Sequence, residues 1–163
     1  MLSDIFNNFH AKPICCGYFC LILFMILNGI SMSQELLTIP ISPGEMLDKI
    51  TILEIKSVRI SDQTKLLNVS KELHLLDELW SKHVSEDEAL IKMRLELKTI
   101  NEKLWDIEDD IRDEERNNRF GERFIELARL VYFTNDKRAD VKKQINLHLN
   151  SDIVEEKSYQ QYS

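Results

Sequence analysis

The chain has 163 residues and a net charge of −7, with 30 % of its residues charged and only four glycines and three prolines. This length suits one domain, and the shortage of turn-forming residues argues against a β-sandwich or a β-barrel. The acidic balance excludes general nucleic-acid binding, which needs a basic surface to release counterions.

The first 31 residues are largely apolar and contain all three cysteines, so no disulfide can hold the remainder together. As a helix, the apolar run over residues 14–32 would span roughly 28 Å, close to a bilayer core. Residues 1–31 are a membrane anchor, a signal peptide cut after Ser31, or an incorrectly assigned start before Met32. The protein is therefore membrane-anchored if they are retained and cytoplasmic otherwise, and residues 32–150 form the predicted helical domain.

A helix start follows a short extended segment at residues 37–41, where apolar and other residues alternate. Ser42 can cap the free amides, Pro43 suits a first turn, and Glu45 can complete a capping box. The helix predicted from about 43 to 60 is apolar on more than one side. We therefore expect it to be the most buried helix.

Two further helices follow, at about 63–83 and from the capping box "SEDE" at residues 85–88 to about residue 116. The third carries a heptad seam typical of helical bundles. Its apolar positions are Leu90, Met93, Leu97, Ile100, Leu104, Ile107 and Ile111. The turn "NNRFG" introduces a fourth helix that continues to about Leu149, and residues 151–163 form a polar tail.

These elements predict an all-α fold, an antiparallel up-and-down four-helix bundle with a long protruding hairpin of helices three and four. When consecutive helices are folded back on one another at their turns, their residues can be matched by height along the bundle. By this level matching, the hairpin extends past the other helices over residues 107–131. Its apolar side chains are Ile107, Ile111, Phe120, Phe124, Ile125, Leu127 and Ala128. A monomer seldom leaves such a surface in water, so we predict a homodimer through residues 107–131.

The stretch "VYFTNDKRADVKKQIN" puts an amide and two cations on the apolar face of the fourth helix. Level matching places them near polar residues of the other helices. The predicted ligand-binding layer is Glu54, Asn68, Glu102, Asn135, Arg138 and Lys142. Three interpretations remain open: a helix break at Thr134 with Arg138 on the surface, a structural ion pair, or a site for a small anion.

Metal binding has little support in the sequence. Carboxylates of "WDIEDDIRDEER" have a spacing that could hold Mg²⁺, as in helical nucleotide pyrophosphatases, but Arg112 and Arg116 interleave with them and favour a solvated, salt-bridged face. His74 and His83 do not share a helix face, so zinc is not expected. We predict no metal and no cofactor.

Four blocks carry a family resemblance: "SPGEMLDKITILEIKSVRI", "LWDIEDDIRDEE", "FIELARLVYFTNDKRADVKKQIN" and "VEEKSY". From about Leu37 to Tyr159 the chain resembles an uncharacterised family of short bacterial proteins. The resemblance implies a small helical protein without assigned activity or catalytic residues, and a protein partner of glycosyltransferase type in surface-polysaccharide synthesis. Members begin just before the extended segment, which fits a start near Met32.

Two classes of function follow. The first is a helical interaction or dimerisation module that supports cell-envelope glycan synthesis, and this non-enzymatic class is favoured. The alternative is a small helical enzyme or binder that acts on an anionic small molecule. Such an enzyme would be a pyrophosphohydrolase using the acidic run, or a metal-free enzyme of the chorismate-mutase kind using Arg138, Lys142 and Glu54.

Overall fold

A computed structural model describes residues 38–158. Helix α1 spans Pro43–Arg59, α2 spans Gln63–His83, α3 spans Glu88–Arg116 and α4 spans Glu122–His148. No strand occurs among these residues, which confirms the all-α prediction. Residues 38–41, predicted to be extended, form neither helix nor strand. Predictions for residues 1–37 fall outside the described residues. Within residues 38–158, none of the helices is long and apolar enough to cross a membrane.

The helix starts are set by short polar side chains. The Ser42 hydroxyl accepts a hydrogen bond from the Glu45 amide at 3.3 Å, as predicted. Asp62 caps α2 in the same way. Asp87 caps α3 through the Leu90 amide at 2.8 Å, so the prediction of a cap at residue 85 is wrong. An ionised carboxylate is a stronger acceptor for these amides than a hydroxyl.

Helix α1 lies at the centre and packs against the other three helices. Leu47 and Ile50 are completely buried, and they join Leu90 and Leu97 of α3 and Ile145 of α4 in the main apolar core. This packing confirms that α1 is the most buried helix. It also places a buried acidic residue of α1 between α3 and α4.

The heptad seam of α3 faces the interior. Leu90, Leu97, Leu104 and Ile107 are buried, and the other seam residues are partly buried. Helix α4 packs along α3 and is continuous from Glu122 to His148. The interpretation that the helix breaks at Thr134 is therefore wrong, and Thr134 is itself buried.

The beginning of α1 lies close against α4. The amide of Gly44 donates to Asn146 Oδ1 at 2.7 Å, so a buried side chain of α4 satisfies one of the free amides of the first turn. A Cβ atom at Gly44 would clash with the carbonyl oxygen of Lys142. Glycine is therefore required here by the close approach of two backbones.

Helix α2 packs against α1 and has no comparable packing against α3 or α4. Its end is fixed by Trp80, whose indole Nε1 donates to Glu86 at 2.6 Å in the turn before α3. The four helices therefore do not each contribute a residue to one common layer across the bundle. The level matching used on the sequence assumed such a layer.

The chain after α4 folds back on that helix. Residues 151–158 form no regular structure. Lysines hold this tail: Lys142 contacts Glu155 at 2.7 Å, Lys143 contacts Glu156 at 2.9 Å, and Lys157 Nζ lies 3.4 Å from the carbonyl oxygen of Asn135. The tail thus reaches back along α4 as far as Asn135.

Candidate functional site

Asp48 of α1 carries the most buried charge of the described residues, with 2 % of its side chain exposed. Arg138 of α4 reaches it with two hydrogen bonds, from Nε to Oδ1 at 2.8 Å and from Nη2 to Oδ2 at 2.5 Å. Such bidentate, charge-assisted pairs are among the strongest side-chain interactions. The hydrogen bonds to Asp48 raise the pKa of Arg138 although burial acts in the opposite direction. The interpretation of Arg138 as a surface residue is therefore wrong.

Two carboxamides complete this polar cluster. Asn101 of α3 donates from Nδ2 to Asp48 Oδ1 at 2.9 Å and to Thr51 Oγ1 at 3.0 Å. Asn135 accepts from Arg138 Nη1 at 3.3 Å through Oδ1. No buried side-chain nitrogen or oxygen of the described residues lacks a partner. The cluster is therefore a satisfied network that ties α1, α3 and α4 together.

A cleft of about 460 Å³ opens beside the polar cluster. Residues of α1, α3 and α4 line it: Ile52, Asn101, Leu104, Trp105, Glu108, Asp109, Arg112, Asn135 and Arg138. The α3 residues lie on successive turns, so the cleft runs about 16 Å along that helix. Its inner end holds the amides and Arg138, its middle is apolar, and its outer end is charged.

The charges of the cleft compensate one another. Glu108 and Arg112 form a salt bridge at 2.8 Å, and Arg138 is neutralised by Asp48 behind it. In the middle, Trp105 carries the guanidinium of Arg59 over its ring at 5.9 Å. Arg59 does not itself line the cleft. The cleft is therefore polar but close to neutral.

Of the predicted layer, the structure brings only Asn135 and Arg138 to the cleft. Glu102 is partly exposed on α3 and does not line it, and Asn68 is exposed on α2. Asn68 is exposed because α2 packs mainly against α1, and only its end near Trp80 joins the core that α3 shares. A role of these residues in ligand binding stays a prediction.

Glu54 belongs to a different network. It accepts from Arg94 Nη2 at 2.7 Å and forms a salt bridge with Lys98 at 2.9 Å, and Arg94 also contacts Glu86 at 2.6 Å. Burial raises the pKa of Glu54, but the hydrogen bonds from Arg94 and Lys98 outweigh it, so the pKa is lowered. This network fixes the turn before α3 to α1, away from the cleft.

Lys142 is also held elsewhere. It is nearly buried and forms salt bridges with Glu45 at the start of α1 and with Glu155 of the tail. Burial lowers its pKa, but hydrogen bonds to Glu155 and Glu45 more than offset this, and the pKa is raised. Because both carboxylates compensate its charge, Lys142 is not prepared to bind an anion. Glu45 thus pairs with α4.

Sequence reasoning missed Asp48, Asn101 and Trp105. Asp48 and Asn101 each interrupt an otherwise apolar part of a helix, which was the available signal. Asn101 and Trp105 lie one helical turn apart on the same face, a second signal beside the seam. The identity of the partner of Arg138 depended on how α1 crosses α3 and α4, which no local pattern reports.

The acidic run of α3 is salt-bridged, as the interleaved arginines predicted. Arg112 pairs with Glu108, and Arg116 with Asp113 at 2.6 Å. No group of three or more histidine, cysteine or acidic residues in the described part of the chain could hold a metal ion. The geometry of the run is therefore that of a solvated surface.

Comparison with known proteins concerns the whole chain rather than the cleft. No curated protein and no solved structure matches it. The profile of a family of unknown function (DUF6165) matches residues 37–162, most of the chain, and the protein therefore belongs to that family.

Proposed function

We propose that the protein is a non-enzymatic helical module that binds a small polar molecule in the cleft between α1, α3 and α4. The observation that carries this proposal is that Asp48 holds Arg138 through two hydrogen bonds while Arg138 lines the cleft. The hydrogen bonds of the described residues use three of the five N–H groups of this guanidinium. A donor that is fixed before the ligand arrives costs little entropy when it binds.

Binding is favoured over catalysis because the charges of Arg138 and Glu108 are already engaged in salt bridges, with Asp48 and Arg112 respectively. The same pairing argues against a small anion as the ligand, which was one of the three interpretations that the sequence left open. An anion would meet two cations whose charges are already compensated. It would also approach the carboxylate of Asp109.

A ligand screen by thermal shift tests the proposal, with nucleosides, nucleotides, sugars and carboxylates. A ligand of the cleft should raise the melting temperature of the wild-type protein and fail to do so for Asn135→Ala. Asn68→Ala is the matched control because it removes an exposed amide outside the cleft. Equal shifts in all three proteins, or no shift with any compound, would refute the proposal.

We propose as a second function that the α3–α4 hairpin of an up-and-down bundle docks with a second copy of the chain. Phe120, Ile125 and Tyr132 each expose more than half of their surface, which is costly for a monomer. Ile107 and Leu127 of the predicted surface are buried within the chain and cannot contribute. The exposed apolar side chains therefore narrow the proposed contact to residues 120–132.

Charge complementarity supports a second copy as the partner. Glu122, Ile125 and Arg129 recur at heptad spacing on one face of α4, and neither Glu122 nor Arg129 forms a salt bridge with the described residues. Arg129 lies over the ring of Phe133 at 5.7 Å. A two-fold axis near Ile125 would bring Glu122 to Arg129 of the other copy and Phe120 close to Tyr132 of the other copy.

Charge reversal tests this contact by sedimentation at tens of micromolar protein. Glu122→Arg alone and Arg129→Glu alone should each weaken the dimer, because like charges would then meet. The double variant restores opposite charges and should dimerise like the wild type. A wild-type monomer, or a double variant weaker than either single variant, would contradict the proposal.

The family resemblance adds an expectation about cellular role. We propose that the module supports cell-envelope glycan synthesis beside a protein partner of glycosyltransferase type. The support is the resemblance alone. Co-purification of such a protein with the wild type, and its loss with Ile125→Arg, would support this proposal.

A further inference from the structure

We infer that the ligand of the cleft is an uncharged planar ring with a hydrogen-bond donor and acceptor side by side on its edge, as in a nucleobase, and that it stacks on Trp105. This inference rests on the proposed binding function and specifies its ligand. Three features of the cleft carry it: the fixed amides, the position of the indole and the balance of charge.

The inner end of the cleft presents donors and an acceptor whose identities are fixed. Asp48 only accepts hydrogen bonds, so the side of Asn101 that faces it must be Nδ2. Both amide hydrogens of Asn101 are used by Asp48 and Thr51, which leaves Oδ1 as an acceptor. Arg138 only donates, so it must face Oδ1 of Asn135. Nδ2 of Asn135 remains as a donor.

A ligand edge that complements this end must therefore both donate and accept. Asn101 offers an acceptor, while Asn135 and Arg138 offer donors, and all three line the cleft. Nucleobase edges place donors and acceptors next to each other in this way. A carboxylate or phosphate only accepts and would leave the Asn101 oxygen without a partner.

The indole of Trp105 lies one helical turn from Asn101, about 6 Å along the axis. This distance suits a ring whose edge contacts the amides and whose face contacts the indole. The guanidinium of Arg59 lies over the indole ring at 5.9 Å, a contact that helps to fix the position of the indole before a ligand arrives. Base–aromatic stacking of this kind accounts for roughly a tenfold gain in affinity or more.

The charge of the lining argues for an uncharged ligand. Glu108 and Asp109 balance Arg112 and Arg138, so neither a phosphate nor a free cation gains from the site as a whole. A nucleoside should therefore bind as well as its 5′-monophosphate. This expectation separates the inference from ordinary phosphate recognition, which would use unpaired cations.

The test is a titration of the full chain with uridine, cytidine, adenosine and guanosine, followed by tryptophan fluorescence. Methyl glucoside and acetate serve as uncharged and charged controls. At least one nucleoside should change the emission of Trp105 saturably, and its 5′-monophosphate should bind within threefold of the same affinity. Asn135→Ala should lower the affinity at least tenfold, whereas Asn68→Ala should leave it unchanged. Trp105→Leu removes the reporting indole, so its expected tenfold loss of affinity is measured by saturation-transfer NMR instead.

Saturation-transfer NMR on the wild-type protein gives a second readout that needs no variant, and it should mark the protons of the base more strongly than those of the ribose. Binding of a sugar or carboxylate that depends on Asn135, with all nucleosides inert, would overturn this inference and leave the binding function standing. A monophosphate that binds tenfold more tightly than its nucleoside would also overturn it. If no compound of the panel or the screen binds, both proposals fail.

Discussion

Replacement of Arg138 by methionine should lower the free energy of unfolding by about 3–5 kcal/mol, the usual cost of breaking a buried ion pair. Methionine keeps a long apolar stem but removes both hydrogen bonds to Asp48. Charge-assisted hydrogen bonds contribute about 1.5–3 kcal/mol each, so the loss of two agrees with this range. Asp48, with 2 % exposure, would retain only the donor of Asn101.

Urea denaturation followed by circular dichroism measures the effect. Lys137→Met is the matched control, since it removes an exposed cation from the same helix and should change stability by less than about 0.5 kcal/mol. In the double variant Asp48→Asn with Arg138→Met both charges are absent, and much of the loss should be recovered.

A neutral or stabilising effect of Arg138→Met would refute the reasoning. It would mean that Asp48 and Arg138 are held together at a cost, as happens when a functional site is assembled at the expense of stability. An effect equal to that of Lys137→Met would show that the pair does not form in solution.

Three further substitutions address other parts of the fold. Gly44→Ala should cost about 1–3 kcal/mol in urea denaturation, because the new methyl group meets backbone atoms of α4; an unchanged midpoint would show that α1 can shift without loss. The lowered pKa of Glu54 means that its charge stabilises the fold above its ordinary value of 4.5 and that this contribution is lost as the pH falls through the folded-state pKa. Glu54→Gln should therefore be less stable than the wild type at pH 6 and approach it at pH 3, and a constant difference would contradict this. Leu97→Ala removes a completely buried core side chain and should cost about 2–5 kcal/mol, whereas Leu95→Ala, on the exposed side of the same helix, should cost far less.

The helices were predictable because their signals are local. Ser42 and Pro43 mark the start of α1 within four residues of sequence, and the apolar period of α3 reports its buried side without reference to any other helix. The start of α3 was misplaced by two residues because both Ser85 and Asp87 could serve as caps and the stronger acceptor, Asp87, does so.

The partner of Arg138 was not predictable in the same way. Glu54 was expected at the level of Arg138, but Asp48, six residues earlier on α1, occupies it. Along α3, Glu54 contacts Arg94 on one side of Asn101, whereas Arg59 contacts Asp106 on the other side. Contacts from successive residues of α1 therefore do not advance along α3 in one direction. The matching of residues by height along the bundle assumed that they do. Relative orientation of helices is set by packing of many side chains and leaves no periodic trace in one sequence.

The returning tail makes the carboxyl end of the chain sensitive to salt. The ion pairs of Lys142 with Glu155 and of Lys143 with Glu156 involve carboxylates that are about half exposed or more, and such pairs weaken as ionic strength rises. The helices are held by apolar contacts that salt does not weaken. Raising the salt concentration should thus release the tail from α4 at concentrations where the helices stay folded.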